Sequence, residues 1–347
     1  MLNILFITAL TVGQFAILIW GVRTLPAERW QMLAAVPMVK TADGSWRGLN
    51  LTYYGFFSAT GTTFGILMTL LLLASINVTP VLGISLVLFV VVVCVPASRL
   101  VARLIEHKKN TFTVAGAAFI ATLALPWLTF AISWLTHTAI ASVPIFAAAA
   151  IAYALGESIG RLACLSFGCC YGLPLRDVSS PLARLFRNHN LVVQGATKKA
   201  AYASGLAGEP LIPVQAMTSF VFAIAGLTAL TLFLAGNFRL AAIIAAAGTW
   251  GWRACSEWLR ADYRGGKRFS AYQIIASSAV VYVSIVLLLM RSGSTTTLPN
   301  IQIAFSRLVS APLVLALQFC WLVLFLYYGK SRVTSSTLQF HVVRDSV

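Results

Sequence analysis

The sequence contains few charged residues. Only 10% of its 347 residues are Asp, Glu, Lys or Arg, whereas a soluble domain carries about a quarter. Hydrophobic residues make up 59% of the chain, which excludes a soluble globular domain because too little polar surface remains to solvate one. A helix needs about 20 mostly apolar residues to cross a bilayer. Since the backbone must satisfy its own hydrogen bonds in lipid, the composition predicts an all-α, polytopic transmembrane helix bundle.

Acidic residues are the scarcer of the two charged classes. The chain has 9 Asp and Glu against 25 Lys and Arg, a net charge of +16. In a soluble protein this excess would suggest nucleic acid as a partner. Here the basic residues lie in short loops between apolar stretches, a distribution that membrane topology and anionic lipid headgroups explain. We therefore expect the membrane and its phospholipids as partners, and no nucleic acid.

The apolar stretches predict about nine membrane spans. The first span is followed by Arg23 rather than by a cleavage site of small residues, so we interpret it as an uncleaved helix. The longest connection, 173–210, is expected to be a folded extramembrane segment or a mobile lid. The predicted spans are 2–22, 51–75, 80–98, 111–135, 142–165, 211–235, 239–259, 271–290 and 308–328.

Two of these spans end in charged residues. Glu157 and Arg161 in "GESIGR" are four residues apart. In "GWRACSEWLR", Arg253 and Glu257 have the same spacing, and Arg260 follows. Side chains three or four residues apart share a helix face and can form ion pairs. Charges inside spans indicate function, and two interpretations remain open: interfacial salt bridges with arginines that reach the headgroups, or guanidinium groups that bind a phosphate.

Small residues accompany the first of these charged clusters. Gly156 and Gly160 have the spacing of a small-residue face on which helices pack closely. Gly168 and Gly172 bracket "CCY" and are expected to bend the chain where the helix ends.

Three of the six cysteines lie in the same segment, at Cys164, Cys169 and Cys170. Metal ligation is one interpretation, although the pattern shows no fourth ligand. A reactive thiol beside Arg161 is a second. The third is the packing of small polarizable side chains at a tight helix end. We expect the third, with no metal and no cofactor.

The segment "GRLACLSFGCCYG", residues 160–172, resembles the signature of the prolipoprotein diacylglyceryl transferase family, whose members attach lipid to bacterial lipoprotein precursors. The glycines and the arginine of that signature correspond to Gly160, Arg161, Gly168 and Gly172. Further matches follow in the family's order, at Tyr54 in "YYG", Arg99 in "ASRLVARL", Pro213 and Gln215 in "PVQ", Arg253, Glu257 and Arg260 in "GWRACSEWLR", and "SAYQ" at 270–273.

The resemblance covers about 50–290 and implies a transferase-like membrane core that includes the extramembrane loop 173–210. An extra helix and a basic loop, 1–49, precede this core. A further helix and a tail, 291–347, follow it.

The resemblance also implies a reaction in the bacterial cytoplasmic (inner) membrane, in which a diacylglyceryl group moves from phosphatidylglycerol to the cysteine thiol of a lipoprotein precursor. It implies catalytic functions for Arg161 and Arg253, which would stabilise the leaving phosphate. Tyr54 would hydrogen-bond the donor or the acceptor. Substrate binding is implied for six further residues: Arg99, Glu157, Gly172, Gln215, Glu257 and Arg260.

The chain departs from the family pattern within the signature, where Cys164 and Phe167 replace two asparagines, and at two further places. The stretch "TFTVAGAAF", 111–119, keeps Gly116 but lacks the family's histidine, and Thr218 stands where the family has a glutamate. Two alternative functions are therefore open. One is a non-catalytic protein that binds or transports lipid, and the other is a transferase for an acceptor that is not a lipoprotein.

Charge is distributed very unequally between the two sets of loops. One set carries 21 Lys and Arg, whereas the opposite set carries three, at Arg239, Arg291 and Arg307. The positive-inside rule places the basic set in the cytoplasm, yet the family acts on exported precursors and its signature is expected outside. We hypothesise that the site faces the cytoplasm. The basic set comprises 23–50, 99–110, 161–210, 260–270 and the tail after 329.

A cysteine introduced at position 190, in the longest basic loop, tests this orientation. We expect Asn190→Cys to resist a membrane-impermeant thiol reagent in intact cells and to react after permeabilisation, because the loop lies on the cytoplasmic side. Labelling of that position in intact cells would contradict the hypothesis and restore the orientation implied by the family.

Overall fold

The computed structural model describes residues 2–106, 114–137, 140–262, 269–290 and 298–347. Helices dominate these residues, which confirms the predicted helix bundle. Residues 111–113 of the predicted fourth span lie outside the described residues. The helices are α1 (Leu2–Thr24), α2 (Tyr53–Ser75), α3 (Pro80–Glu106), α4 (Val114–Thr136), α5 (Ser142–Phe167), α6 (Ser180–Phe186), α7 (Lys199–Ser204), α8 (Val214–Leu234), α9 (Phe238–Ala246), α10 (Trp252–Ser256), α11 (Ala271–Leu289), α12 (Ile301–Leu308) and α13 (Ala311–Gly329).

Eight helices in the described part of the chain are long and apolar enough to cross a membrane, namely α1, α2, α3, α4, α5, α8, α11 and α13. They make the chain a multi-pass membrane protein. The predicted span 239–259 differs, because a π-helical turn, Ala247–Gly251, separates α9 from α10. The count of about nine therefore corresponds to eight continuous helices and one interrupted helical segment.

The sequence did not predict a three-stranded antiparallel sheet, which the structure shows outside the long helices. Its strands are β1 (Met32–Lys40), β2 (Trp46–Thr52) and β5 (Lys330–Leu338), in the order β1-β2-β5. β2 leads into α2 and β5 continues from α13, so the sheet joins the loop after α1 to the tail. The local sequence does not predict that β2 pairs with β5. The two strands lie far apart in the chain, and the β5 sequence "KSRVTSSTL" is largely polar, without the apolar alternation of a half-buried strand.

Residues 173–210 form a folded segment. They contain α6, α7 and a two-stranded antiparallel ladder of β3 (Leu191–Val192) with β4 (Pro210–Leu211). The fully buried Lys198 ties this segment to the end of α1, because its Nζ donates to the carbonyl oxygens of Leu25, Pro26 and Ala27 at 2.8, 2.7 and 2.9 Å. Burial lowers the pKa of Lys198 to about 8.

The backbones of α2 and α5 approach each other closely. A Cβ added to Gly61 would lie 2.6 Å from the carbonyl oxygen of Gly156 and 2.7 Å from the amide nitrogen of Gly160. A Cβ at Gly156 would lie 2.6 Å from the carbonyl oxygen of Gly61, so the packing function predicted for Gly156 is confirmed. At Gly160 an added Cβ would meet only Oε2 of Glu157 at 3.5 Å, an ordinary contact, so the structure does not require glycine there. The contact sets the position of α5, which carries the charged cluster of the first motif.

Candidate functional site

The charged residues of α5 and α10 meet on one carboxylate. Glu157 Oε1 accepts hydrogen bonds from Nη2 of Arg161 at 2.5 Å and from Nη2 of Arg253 at 3.0 Å. All three side chains are at least 85% buried, with exposed fractions of 10–13%. We call Glu157, Arg161 and Arg253 the arginine triad. The pairing of Glu157 with Arg161 follows from their four-residue spacing, as predicted.

Aromatic residues fix the guanidinium group of Arg253. Its Nη2 donates to the hydroxyl of Tyr153 at 2.6 Å. The guanidinium also lies 5.5 Å from the ring centroid of Phe222 and 5.9 Å from those of Tyr153 and Trp250. Such cation–π contacts are worth about 0.5–2 kcal/mol each. Trp250 belongs to the π-helical turn, so this irregular turn places both the arginine and one of its aromatic neighbours.

The triad retains unused donors. Among the described residues, Nε of Arg161 and Nε of Arg253 are buried and have no hydrogen-bond partner. A buried donor without a partner costs free energy, about 1–3 kcal/mol or more when the group is charged. Two guanidinium groups also share a single carboxylate, so the triad has more positive than negative charge. Both features favour an anion as ligand.

A second charged cluster lies beside the end of α10. Arg260 donates to both carboxylate oxygens of Asp262, at 2.8 and 2.9 Å, and its Nη1 is 3.7 Å from Glu257. Glu257 also accepts a hydrogen bond from Ser270 at 3.1 Å. Because two guanidinium nitrogens donate to the two oxygens of one carboxylate, the Arg260 side chain is held in one orientation.

One predicted ion pair is wrong. The described residues contain no salt bridge between Arg253 and Glu257, although the two are four residues apart. α10 ends at Ser256, and Glu257 begins a 3-10 turn, so the helical register that would align the two side chains stops between them. Arg253 therefore pairs with Glu157, and Glu257 pairs with Arg260.

Gly172 and Gln215 fix the backbone around the site. Gly172 forms an antiparallel bridge with Arg260. A Cβ at position 172 would lie 2.3 Å from the carbonyl oxygen of Ile212, so the glycine is required by this close approach. Gln215 on α8 donates to the carbonyl of Cys169 at 2.9 Å. These contacts hold the segment after α5 against α8 and against the end of the interrupted helical segment.

Tyr54 and Arg99 occupy other surroundings. Tyr54 lies in the first turn of α2, and its ring centroid is 5.6 Å from that of Phe167 at the end of α5. Arg99 is exposed on α3 and donates to the hydroxyl of Tyr327 on α13 at 3.0 Å. Tyr54 thus borders the end of α5, whereas Arg99 is associated with α13.

The three cysteines converge at the end of α5. Gly168, with φ of 69°, ends the helix in the left-handed conformation, which confirms the predicted bend. Cys170 also has a positive φ, 57°, which is uncommon for a non-glycine residue. The three Sγ atoms lie within 4.8 Å of one another. Nη1 of Arg161 is 3.9 Å from Sγ of Cys164 and of Cys170.

The electrostatics of this cluster favour a thiolate at Cys170. Hydrogen bonds from the thiols of Cys164 and Cys169 hold the pKa of Cys170 well below its usual range, and the charges of Arg260 and Arg161 lower it further. Sequence reasoning considered a thiol near Arg161 but did not predict that all three sulfurs meet.

Two contributors to the site were missed. Tyr153 lies four residues before Glu157, so the same helical spacing that linked Glu157 to Arg161 would have found it. Asp262 lies two residues after Arg260, in a turn where no simple periodicity applies.

A model of one family, described as prolipoprotein diacylglyceryl transferase, matches residues 45–321, which is most of the chain. The matched range contains the arginine triad, the three cysteines at the end of α5, and Arg260 with its two carboxylate partners. No curated protein matches the chain.

Replacement of Glu157 tests the triad. We expect Glu157→Gln to destabilise the protein by about 3–5 kcal/mol, because two buried guanidinium groups lose their shared carboxylate. Thermal unfolding in detergent measures the effect. The control is Glu209→Gln, which removes the exposed partner of Arg176, 2.7 Å away, and should cost no more than about 1 kcal/mol. Equal shifts in the two variants would show that the triad is not a stabilising ion cluster.

Proposed function

The chain belongs to the prolipoprotein diacylglyceryl transferase family, and on that premise we propose that it moves a diacylglyceryl group from phosphatidylglycerol to an acceptor thiol in the bacterial cytoplasmic membrane. The observation that carries the proposal is the arginine triad, in which two buried guanidinium groups share Glu157 and keep unpaired Nε donors. A phosphodiester is an anion whose oxygens match planar guanidinium groups.

In the proposed reaction, the acceptor sulfur attacks the glycerol carbon that bears the phosphate. The carbon–oxygen bond breaks, glycerol phosphate leaves with the electron pair, and the thiol proton is released. Negative charge on the phosphate increases as the bond breaks. Arg161 and Arg253 stabilise that charge, and the buried, low-dielectric setting strengthens the interaction. Glu157 and Tyr153 hold the two guanidinium groups in place beforehand.

The remaining candidate residues support this arrangement. Arg260, whose side chain is held in one orientation by Asp262 and Glu257, places a guanidinium group beside the segment that follows α5. Tyr54 hydrogen-bonds the donor or the acceptor, and Arg99 binds a lipid headgroup from α3. We further propose that the site opens sideways to the bilayer, because each CH₂ of a diacyl donor that left the membrane would cost about 0.8 kcal/mol.

A transferase with a cytoplasmic-side acceptor is the second candidate. The distribution of 21 basic residues against three favours it. Residues 25–52, 168–213 and 330–347 meet at one end of the molecule through the contacts of Lys198 and the pairing of β2 with β5. Arg161 lies six residues before the end of α5, the helix that leads into 168–213. An acceptor on that side would be a cytoplasmic thiol rather than an exported precursor.

Turnover by the purified protein tests the proposal. We expect acyl-labelled phosphatidylglycerol and a thiol peptide of an exported precursor to yield a lipidated peptide and glycerol phosphate. Arg161→Lys and Arg253→Lys should each lower the rate about 10²-fold, since an ammonium cannot reproduce the guanidinium fork. The exposed Arg176→Lys is the control and should leave the rate unchanged.

The alternatives give different results in the same assay. Binding of phosphatidylglycerol without product formation would indicate a lipid-binding protein. Product from a small cytoplasmic thiol but not from the precursor peptide would favour the second candidate. Full activity in both arginine variants would refute the function proposed for the triad.

A further inference from the structure

The thiol cluster at the end of α5 is not used by the proposed reaction. Cys164 lies on the last turns of the helix, and Cys169 and Cys170 follow its left-handed end. The other three cysteines, Cys94, Cys255 and Cys320, lie on separate helices. A metal site requires at least three ligand atoms that lie close together. Among the described His, Cys, Asp and Glu residues, Cys164, Cys169 and Cys170 meet this requirement.

The separations between the sulfur atoms fit a single metal ion. A zinc–sulfur bond is about 2.3 Å, and tetrahedral coordination then places the sulfur atoms about 3.8 Å apart. Sγ of Cys164 and Sγ of Cys170 are 3.9 Å apart, and the largest separation in the cluster is within 4.8 Å. Small rotations of the side chains would bring all three sulfurs to one ion.

Positive charge borders the thiol cluster. Nη1 of Arg161 lies 3.9 Å from two of the sulfurs. Arg260 forms a backbone bridge with Gly172, two residues after Cys170. Three thiolates exceed the charge of a divalent ion by one, and the neighbouring cations offset that excess. Charged groups around the ligands commonly orient them and tune a metal site.

The backbone conformation at Cys170 and the solvent exposure of its side chain are also consistent with a metal site. A left-handed conformation at a residue such as Cys170 costs about 1–2 kcal/mol, and strained residues of this kind concentrate at functional sites. Cys170 is partly exposed, so an ion has a path to the sulfurs.

We propose that Cys164, Cys169 and Cys170 bind one Zn²⁺ as thiolates and leave its fourth position open to water or to a substrate atom. Thiolates favour soft or borderline ions such as zinc, and sites with three protein ligands keep an open position. This inference replaces the packing interpretation that the sequence favoured for these residues.

Metal analysis of the full chain, purified in detergent with reductant and without chelator, tests the proposal. We expect about one zinc per chain, with about three sulfur neighbours near 2.3 Å by X-ray absorption. Exchange with Co²⁺ should give a thiolate-to-cobalt charge-transfer band in the near ultraviolet. The variant with all three cluster cysteines changed to serine should lose the metal and the band.

The matched control is the variant Cys94→Ser, Cys255→Ser, Cys320→Ser, which also loses three cysteines and should keep one zinc per chain. Because replacement of three thiols at a helix end can by itself unfold the chain, the X-ray absorption data on the unmodified chain are the decisive measurement. A fully reduced, folded chain that binds neither Zn²⁺ nor Co²⁺ would overturn the proposal. A disulfide between Cys164 and Cys170, or binding of Cu⁺ but not Zn²⁺, would overturn it as well. Because these readouts need no turnover, they are independent of the transferase assay.

Discussion

The site depends on the carboxylate of Glu157, which neutralises part of the charge on two arginines inside a helix bundle. Isolated buried charges are too costly to persist, so each guanidinium group requires a partner. Arg161 reaches Glu157 along the same helix, and Arg253 reaches it from the interrupted helical segment. This one carboxylate therefore links α5 to α10. The same arrangement leaves the arginines with more donors than protein acceptors, which makes the cluster suitable for an anion.

Close packing and loop contacts support that carboxylate. The glycine contact between α2 and α5 fixes one side of α5, while the aromatic rings around Arg253 fix the other. At the end of α5, Gln215 and the bridge between Gly172 and Arg260 hold the turn that carries the cysteines. Arg161 thus belongs to the arginine triad and also contacts the thiol cluster.

Local spacing in the sequence predicted much of this site, and long-range pairing supplied the rest. The span pattern predicted the helices, and the four-residue spacing predicted the pairing of Glu157 with Arg161. The same spacing failed for Arg253 and Glu257, because a helix end between them is not encoded by periodicity. The sheet of β1, β2 and β5 and the convergence of the three sulfurs depend on contacts between distant segments or on turn geometry. A single sequence does not show which distant segments pair, or how a turn positions its side chains.

The proposed function depends on recognition of a lipid phosphate by Arg161 and Arg253 together. The most direct test compares the binding of phosphatidylglycerol with that of neutral diacylglycerol of the same acyl chains, by native mass spectrometry of the purified protein. We expect a preference for phosphatidylglycerol that disappears in the double variant Arg161→Gln, Arg253→Gln, while diacylglycerol binding is retained. A preference that persists in the folded double variant would contradict it.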